Sequence, residues 1–120
     1  MRFVQEFGYT VKVGKDVAHQ KWVTENDEAL RAAAPDGSKY LGTYAVVSSS
    51  EKGAGFYKVL MELDSYGALD TAAATAKDPN NAWAKLLRDV SQFYDTDMTA
   101  PWSNSLLKNV IDATVWDPKN

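Results

Sequence analysis

The sequence predicts an α+β fold with elements in the order βαββαβ, an antiparallel sheet carrying both helices on one face. Three observations point to it. FVQEFGYTVKV and FYKVLMELD alternate apolar and mixed positions with a period of two, and the stretch between them carries apolar residues at steps of three and four. Gly, Pro, Asp and Ser gather where each pattern gives way to the next.

In the first segment Phe3, Gln5, Phe7, Tyr9, Val11 and Val13 share one side and Val4, Glu6, Gly8, Thr10 and Lys12 the other, which is the signature of a strand. Gly14 and Lys15 break the pattern. Asp16 is the expected N-cap of a helix that places His19, Trp22, Val23, Asn26, Leu30 and Ala33 on one stripe. Pro35 disfavours helical geometry in the residue before it, and Asp36-Gly37 is a turn dipeptide that starts a second strand, KYLGTYAVVS. The polar stretch SSSEKGAG then leads into FYKVLMELD, so strands two and three read as an antiparallel hairpin with a longer loop.

Asp64 or Ser65 is placed to cap YGALDTAAATAK, whose alanines favour helix. DPNN interrupts it, and NAWAKLLRDVSQFY resumes with Ala82, Leu86, Leu87, Val90, Phe93 and Tyr94 on a stripe, so the second helix is expected to be broken. DTDMTAPWSNS reads as a loop. NVIDATVW, with Ile111, Ala113 and Val115 alternating against Val110, Asp112, Thr114 and Trp116, reads as the last strand.

Parity assigns Phe7, Tyr9, Val11, Val13, Tyr57, Val59, Met61, Leu63, Ile111, Ala113 and Val115 to the face under the helices; strand two has hydrophobes on both faces. The opposite face mixes Glu6, Thr10, Lys12, Lys58, Glu62, Asp112 and Thr114 with Phe56, Leu60, Val110 and Trp116, more apolar surface than a solvated face needs. Each large side chain covered by a partner would contribute roughly 1.5 to 3 kcal/mol. A homodimer pairing these sheet faces is therefore expected.

Composition bounds the function. A chain of 120 residues, 45% hydrophobic and 24% charged, is expected to form a single domain over 1–120. A net charge of -3, with lysines and arginines scattered, argues against nucleic acid as a partner. No cysteine and one histidine rule out disulfides, thiolate chemistry and the usual zinc sets from one chain. Asp95-Thr96-Asp97 lacks the glycine turn and distal glutamate of a calcium loop, so no metal and no cofactor is expected. The N-terminus does not read as a signal peptide and no stretch approaches a membrane span, which makes the cytoplasm the expected location and leaves no membrane partner.

The run FYKVLMELDSYGALDTAAA, then DPNNAWAKLLRDVSQFYD and a short closing strand, resembles the dimeric α/β barrel superfamily over nearly the whole chain. In that superfamily two ferredoxin-like protomers pack sheet on sheet, and a small-molecule pocket often lies between sheet and helices. Its members include cofactor-independent monooxygenases, polyketide cyclases, lactone isomerases, haem enzymes and proteins of unassigned function. The resemblance thus implies a dimer and a pocket, with Lys58 and Glu62 facing the partner sheet and pairing with each other or across the interface. Haem-binding members carry an axial histidine on the later helix; Tyr66 to Tyr94 contains none, which disfavours haem.

His19, the one imidazole, is the candidate catalytic residue as a general base, weighed against a buried structural histidine. Tyr9, Trp22, Tyr44, Tyr57, Trp83 and Phe93 are the candidate lining of an apolar aromatic pocket, weighed against plain core packing. Glu62 and Asp112 are read as ion-pair partners of Lys58, Lys12 or Arg2 rather than as an acid and base. Three functions follow. The first is a homodimer binding a small aromatic or acyl ligand, the second a cofactor-independent monooxygenase or cyclase using His19 with a tyrosine, and the third a structural dimer with a filled core.

Overall fold

A computed structural model of the chain describes residues 2–50, 56–97, 100 and 102–110. Strands β1 (Phe3–Tyr9), β2 (Ser38–Ala45), β3 (Tyr57–Leu63) and β4 (Ser103–Lys108) form one sheet in the order β2-β3-β1-β4. All neighbours are antiparallel, which is the ferredoxin-like arrangement expected from the element order. Helix α1 (Asp16–Ala33) connects β1 to β2. The second helical segment is broken as expected, into α2 (Ala68–Lys77) and α3 (Ala82–Val90), and closes with a 3-10 turn over Ser91–Phe93. Asn81 accounts for the restart, its side chain accepting a hydrogen bond from the Ala84 N–H at 3.2 Å.

The alternation holds in β1 and β3. Phe3, Tyr9, Met61 and Leu63 are buried beneath the helices, with Phe7, Tyr57 and Val59 packed against them. Register puts Val4, Glu6, Gly8, Lys58, Leu60 and Glu62 on the opposite face. Val13 departs from the prediction: the strand ends at Tyr9, only Val11 bridges onward to Tyr94, and Val13 is exposed.

Strand β2 shows hydrophobes on both faces because it carries a bulge. Tyr40 opposes Met61 and Gly42 opposes Leu60, so Leu41 is the extra residue and the parity changes there. Tyr40 ends in the core at 1% exposure, while Tyr44 opposes Lys58 on the open face. Gly42 has φ +147°, and a Cβ on it would stand 3.1 Å from the Tyr44 ring. Arg31 of α1 braces the bulge, donating to the Tyr40 and Leu41 carbonyls at 3.1 Å each.

Three sequence expectations are corrected. Asp16 does not cap α1 through its side chain; it is the first helical residue, and its carboxylate accepts the Tyr57 hydroxyl at 2.7 Å instead. Neither Asp64 nor Ser65 is the N-cap of α2, because a turn in which the Ala68 N–H donates to the Ser65 carbonyl delays the helix to Ala68. The strand beside β1 is Ser103–Lys108, part of which reads as loop: SNSLLK has no alternation, and pairing with an open strand edge outweighs its weak propensity. Val110 is exposed and outside any strand, and the predicted strand positions from Ile111 onward, with Asp112 and Trp116, lie outside the described residues. On the open face Glu62 pairs with Arg2 at 3.0 Å.

Helices α1 and α3 are tied by a polar contact, the Trp22 indole Nε1 donating to Asp89 Oδ2 at 2.6 Å. Asp89→Ala strands that donor on a buried ring and is expected to cost about 1 to 3 kcal/mol, whereas Asp89→Asn, which keeps an acceptor, costs less. Urea unfolding of the two variants checks the order.

Candidate functional site

Helix α2 packs on Phe3 and Leu63 of the sheet through Ala68, its first residue, with Leu69 beside it. Past that point the half-buried Ala72 and the exposed Ala76 border the space between the helix and the sheet, which their short side chains leave unfilled. The result is a cavity of about 360 Å³ that is partly open to solvent. Its floor is Gln5 and Phe7 of β1 with Val59, Met61 and Leu63 of β3; its roof is Ala72 and Ala76; Trp83 and Leu87 of α3, Pro35, Ser38 and Tyr94 complete the wall. No charged side chain is among these lining residues. Burial pushes the Tyr94 phenol up to about 12, so it too stays neutral near pH 7.

Polar groups are few at this wall. Gln5 sits on the buried face of β1, and its Nε2 donates to Asn104 Oδ1 of β4 at 3.3 Å. The Ser38 Oγ is buried and has no hydrogen-bond partner. Such a group is unusual, because buried hydroxyls nearly always find one.

Of the six aromatic residues singled out in the sequence, only Trp83 lines this cavity. Tyr9 and Trp22 border a void of about 20 Å³ deeper in the core. Tyr57 and Phe93 pack against the His19 ring, with centroids 4.5 and 5.9 Å away. Tyr44 lies across the sheet from the cavity, on the open face. A second hollow of about 400 Å³ lies beyond the end of β1, among Phe7, Tyr9, Thr10, Tyr94, Asp95, Thr96, Asp97, Ala100 and Trp102. Sequence reading missed Ala72, Ala76 and Ser38 as wall residues. The available signal was Gln5, an amide in an otherwise apolar row.

His19 is 1% exposed and lines neither space. Its Nε2 is 2.6 Å from the Tyr9 hydroxyl, and its Nδ1 is buried without a partner. Burial lowers the imidazole below its usual range, against a smaller opposing pull from the Asp16 carboxylate, and burial raises the Tyr9 phenol far above its own. Near neutral pH the pair is therefore a hydrogen bond between two uncharged rings. Among the described residues no group of three or more His, Cys, Asp or Glu side chains could hold a metal ion. Nor is any described helix long and apolar enough to cross a membrane.

The lowered His19 pKa sets a pH dependence. Below the unfolded value of 6.5 the unfolded chain binds a proton that the folded chain refuses, so this contribution is present above that pH and is lost as pH falls beneath it. Between about pH 7.5 and 5.5 the Tm of the protein is expected to fall more steeply than that of His19→Gln, which keeps a hydrogen-bonding side chain but does not titrate. Parallel Tm curves would remove His19 from the acid response.

No protein-family model matches the sequence, and no curated protein matches it. Solved structures do. A NIPSNAP family protein from Agrobacterium tumefaciens superposes with a TM-score of 0.60 at 16% identity, covering 89% of this chain and 91% of that one. An uncharacterised NIPSNAP domain protein from Burkholderia xenovorans gives 0.59 at 14% identity, over 98% and 100% of the two chains. A dimeric protein of unknown function and ferredoxin-like fold from Bacteroides fragilis gives 0.52 at 8% identity, over 88% and 92%. At these identities the likeness carries the architecture alone: the chain has the ferredoxin-like fold.

Proposed function

We propose that this chain is a homodimeric small-molecule-binding protein whose ligand occupies the cavity beneath α2. The observation that carries the reading is the cavity itself, about 360 Å³ of space between sheet and helix with an almost wholly apolar wall and a tryptophan at its side. Small-molecule sites are of this size and character, mostly apolar with a few polar groups that orient the ligand. A filled core, the structural-dimer alternative, does not account for the space.

The dimer rests on the open face of the sheet. Leu60, Val4 and Leu107 stand there in adjacent strands beside Tyr44, which is 52% exposed. A second copy laid sheet to sheet would remove this apolar surface from water. The Bacteroides fragilis protein, described as dimeric and of ferredoxin-like fold, supports the expectation of a dimer.

The Tyr9–His19 contact at 2.6 Å favours a second reading, a cofactor-independent enzyme of monooxygenase or cyclase type with His19 as general base. A neutral imidazole is in the form a base requires. Because His19 lines neither space, proton transfer would run through the Tyr9 hydroxyl, and turnover of a phenolic substrate would be lost in both His19→Gln and Tyr9→Phe.

A broad screen of neutral aromatic and acyl compounds by thermal shift is expected to give saturable stabilisation. Ala72→Phe fills the cavity from its roof; the variant should fold and lose that stabilisation. Flat melting curves for the unsubstituted protein would end the ligand reading. Light scattering on a sizing column should give twice the 13.2 kDa chain mass, and Leu60→Lys should shift it toward the monomer. A monomer on the unsubstituted chain would end the dimer reading.

A further inference from the structure

Between Val11 and Trp22 the chain has a single buried residue. Residues 12–18, with Gln20 and Lys21, are all exposed, Val13 and Val17 at 98% and 80%, and only the His19 ring enters the core. There it packs against Tyr57 and Phe93 and sets its Nε2 2.6 Å from the Tyr9 hydroxyl. A second tie, the Tyr57 hydroxyl donating to the Asp16 carboxylate at 2.7 Å, is at the surface. The two ends of the stretch are fixed separately: the Lys12 N–H donates to the Phe93 carbonyl at 2.9 Å, and Trp22 bonds Asp89 with Leu30 buried further along α1. The first turn of the helix is thus held in the core by one side chain. Lys15, the N-cap, adds no side-chain hydrogen bond to secure it.

A proton changes what that side chain needs. The Nδ1 is buried and has no partner. A neutral ring tolerates this, because Nδ1 can go without a hydrogen while Nε2 donates to Tyr9; an imidazolium carries a hydrogen on both nitrogens and buries a charged Nδ1–H with no acceptor. The surroundings offer little relief. β1 presents the Tyr9 phenol, β3 the Tyr57 phenol and the 3-10 turn the uncharged Phe93. On α1 itself the Asp16 carboxylate pulls toward the charged form, but it already accepts from Tyr57, and burial outweighs it. His19 is also the fourth residue of the helix, at the end where the backbone dipole disfavours a cation, and Lys12 and Lys15 precede it. In solvent the ring escapes the burial and the missing acceptor.

We propose that His19 is a proton-released latch: as a neutral ring it fastens residues 13–21 to the sheet, and on protonation it leaves the core with that segment while Trp22 and Leu30 keep the rest of α1 in place. The released state uncovers the rings of Tyr9, Tyr57 and Phe93 against which His19 packs. Tyr9 is also in the wall of the hollow beyond the end of β1, so the same proton loosens one side of that space. The opening is local, a property of the β1–α1 junction rather than of the whole fold.

Amide hydrogen exchange of the full chain, followed residue by residue by NMR and corrected for the intrinsic rate at each pH, tests the latch. From pH 7.5 to 5.5 protection of the His19, Gln20 and Lys21 amides is expected to fall about tenfold, the factor by which an imidazole of ordinary pKa 6.5 takes up protons over that interval when the closed form refuses them. At pH 5.5 these amides should be at least about tenfold less protected than those of β1 and β3. Low urea should lower protection in the strands but not in the segment, since a local opening exposes little surface. In His19→Gln, which has nothing to titrate there, the fall with pH should be absent. Exchange of the three amides at the rate of the strands, protection that does not fall with pH, or a fall that persists in His19→Gln overturns the inference. The comparison between segment and strands is internal to the unsubstituted protein, so it decides the matter even if the variant does not fold.

Discussion

A sheet of four strands has two faces, and this chain has helices enough for one, so every strand must keep its apolar side chains in a single parity or expose them. β1 and β3, the central pair, obey this most closely: Phe3, Tyr9, Met61 and Leu63 are buried under the helices. β2 obeys it only by inserting Leu41, which lets Tyr40 enter the core while Tyr44 turns outward. The bulge is affordable because Arg31 takes up the two carbonyls that the irregular ladder presents.

How the helices cover that face determines where space remains. α1 is held to the sheet by His19 on Tyr9 and to α3 by Trp22 on Asp89, two buried or half-buried hydrogen bonds of 2.6 Å. Large rings, Trp22, Tyr40, Phe93 and Tyr94, fill this half of the molecule. α2 has no comparable side chains. It rests on Ala68 and Leu69 at its start and presents only alanines to the space beyond them, so the same chain is tightly packed at one end of its core and hollow at the other.

The sequence made the packed half legible and the hollow half obscure, for a physical reason. Periodicity reports which side of an element avoids water, and it correctly oriented β1, β3 and α1; in α3 it placed Leu86, Leu87 and Val90 inward but also Ala82, which is exposed, while Trp83 and Ala84 are the residues buried there. It does not report the distance between two apolar faces. Trp22, Tyr57 and Phe93 therefore carry the same signal as Trp83, although Tyr57 and Phe93 pack against His19 and Trp22 belongs to the closed core cluster. The cavity is made by what Ala72 and Ala76 lack, and an alanine in a helix carries the same signal whether it faces solvent or a void. β4 was hidden by a different cause. Ser103-Asn104-Ser105-Leu106-Leu107-Lys108 is a strand because β1 offers it an unpaired edge, information that resides in another part of the chain.

The roof of alanines also separates two kinds of change that proteins usually find coupled. A residue at 72 or 76 alters the volume of the space beneath α2 without touching the ladder of the sheet or the Trp22–Asp89 tie, so that volume can change by single steps while the scaffold stays the same. Substituting Tyr9 or Tyr40 alters the scaffold itself. The space beneath α2 can therefore change in volume and shape through a residue that the rest of the fold does not lean on.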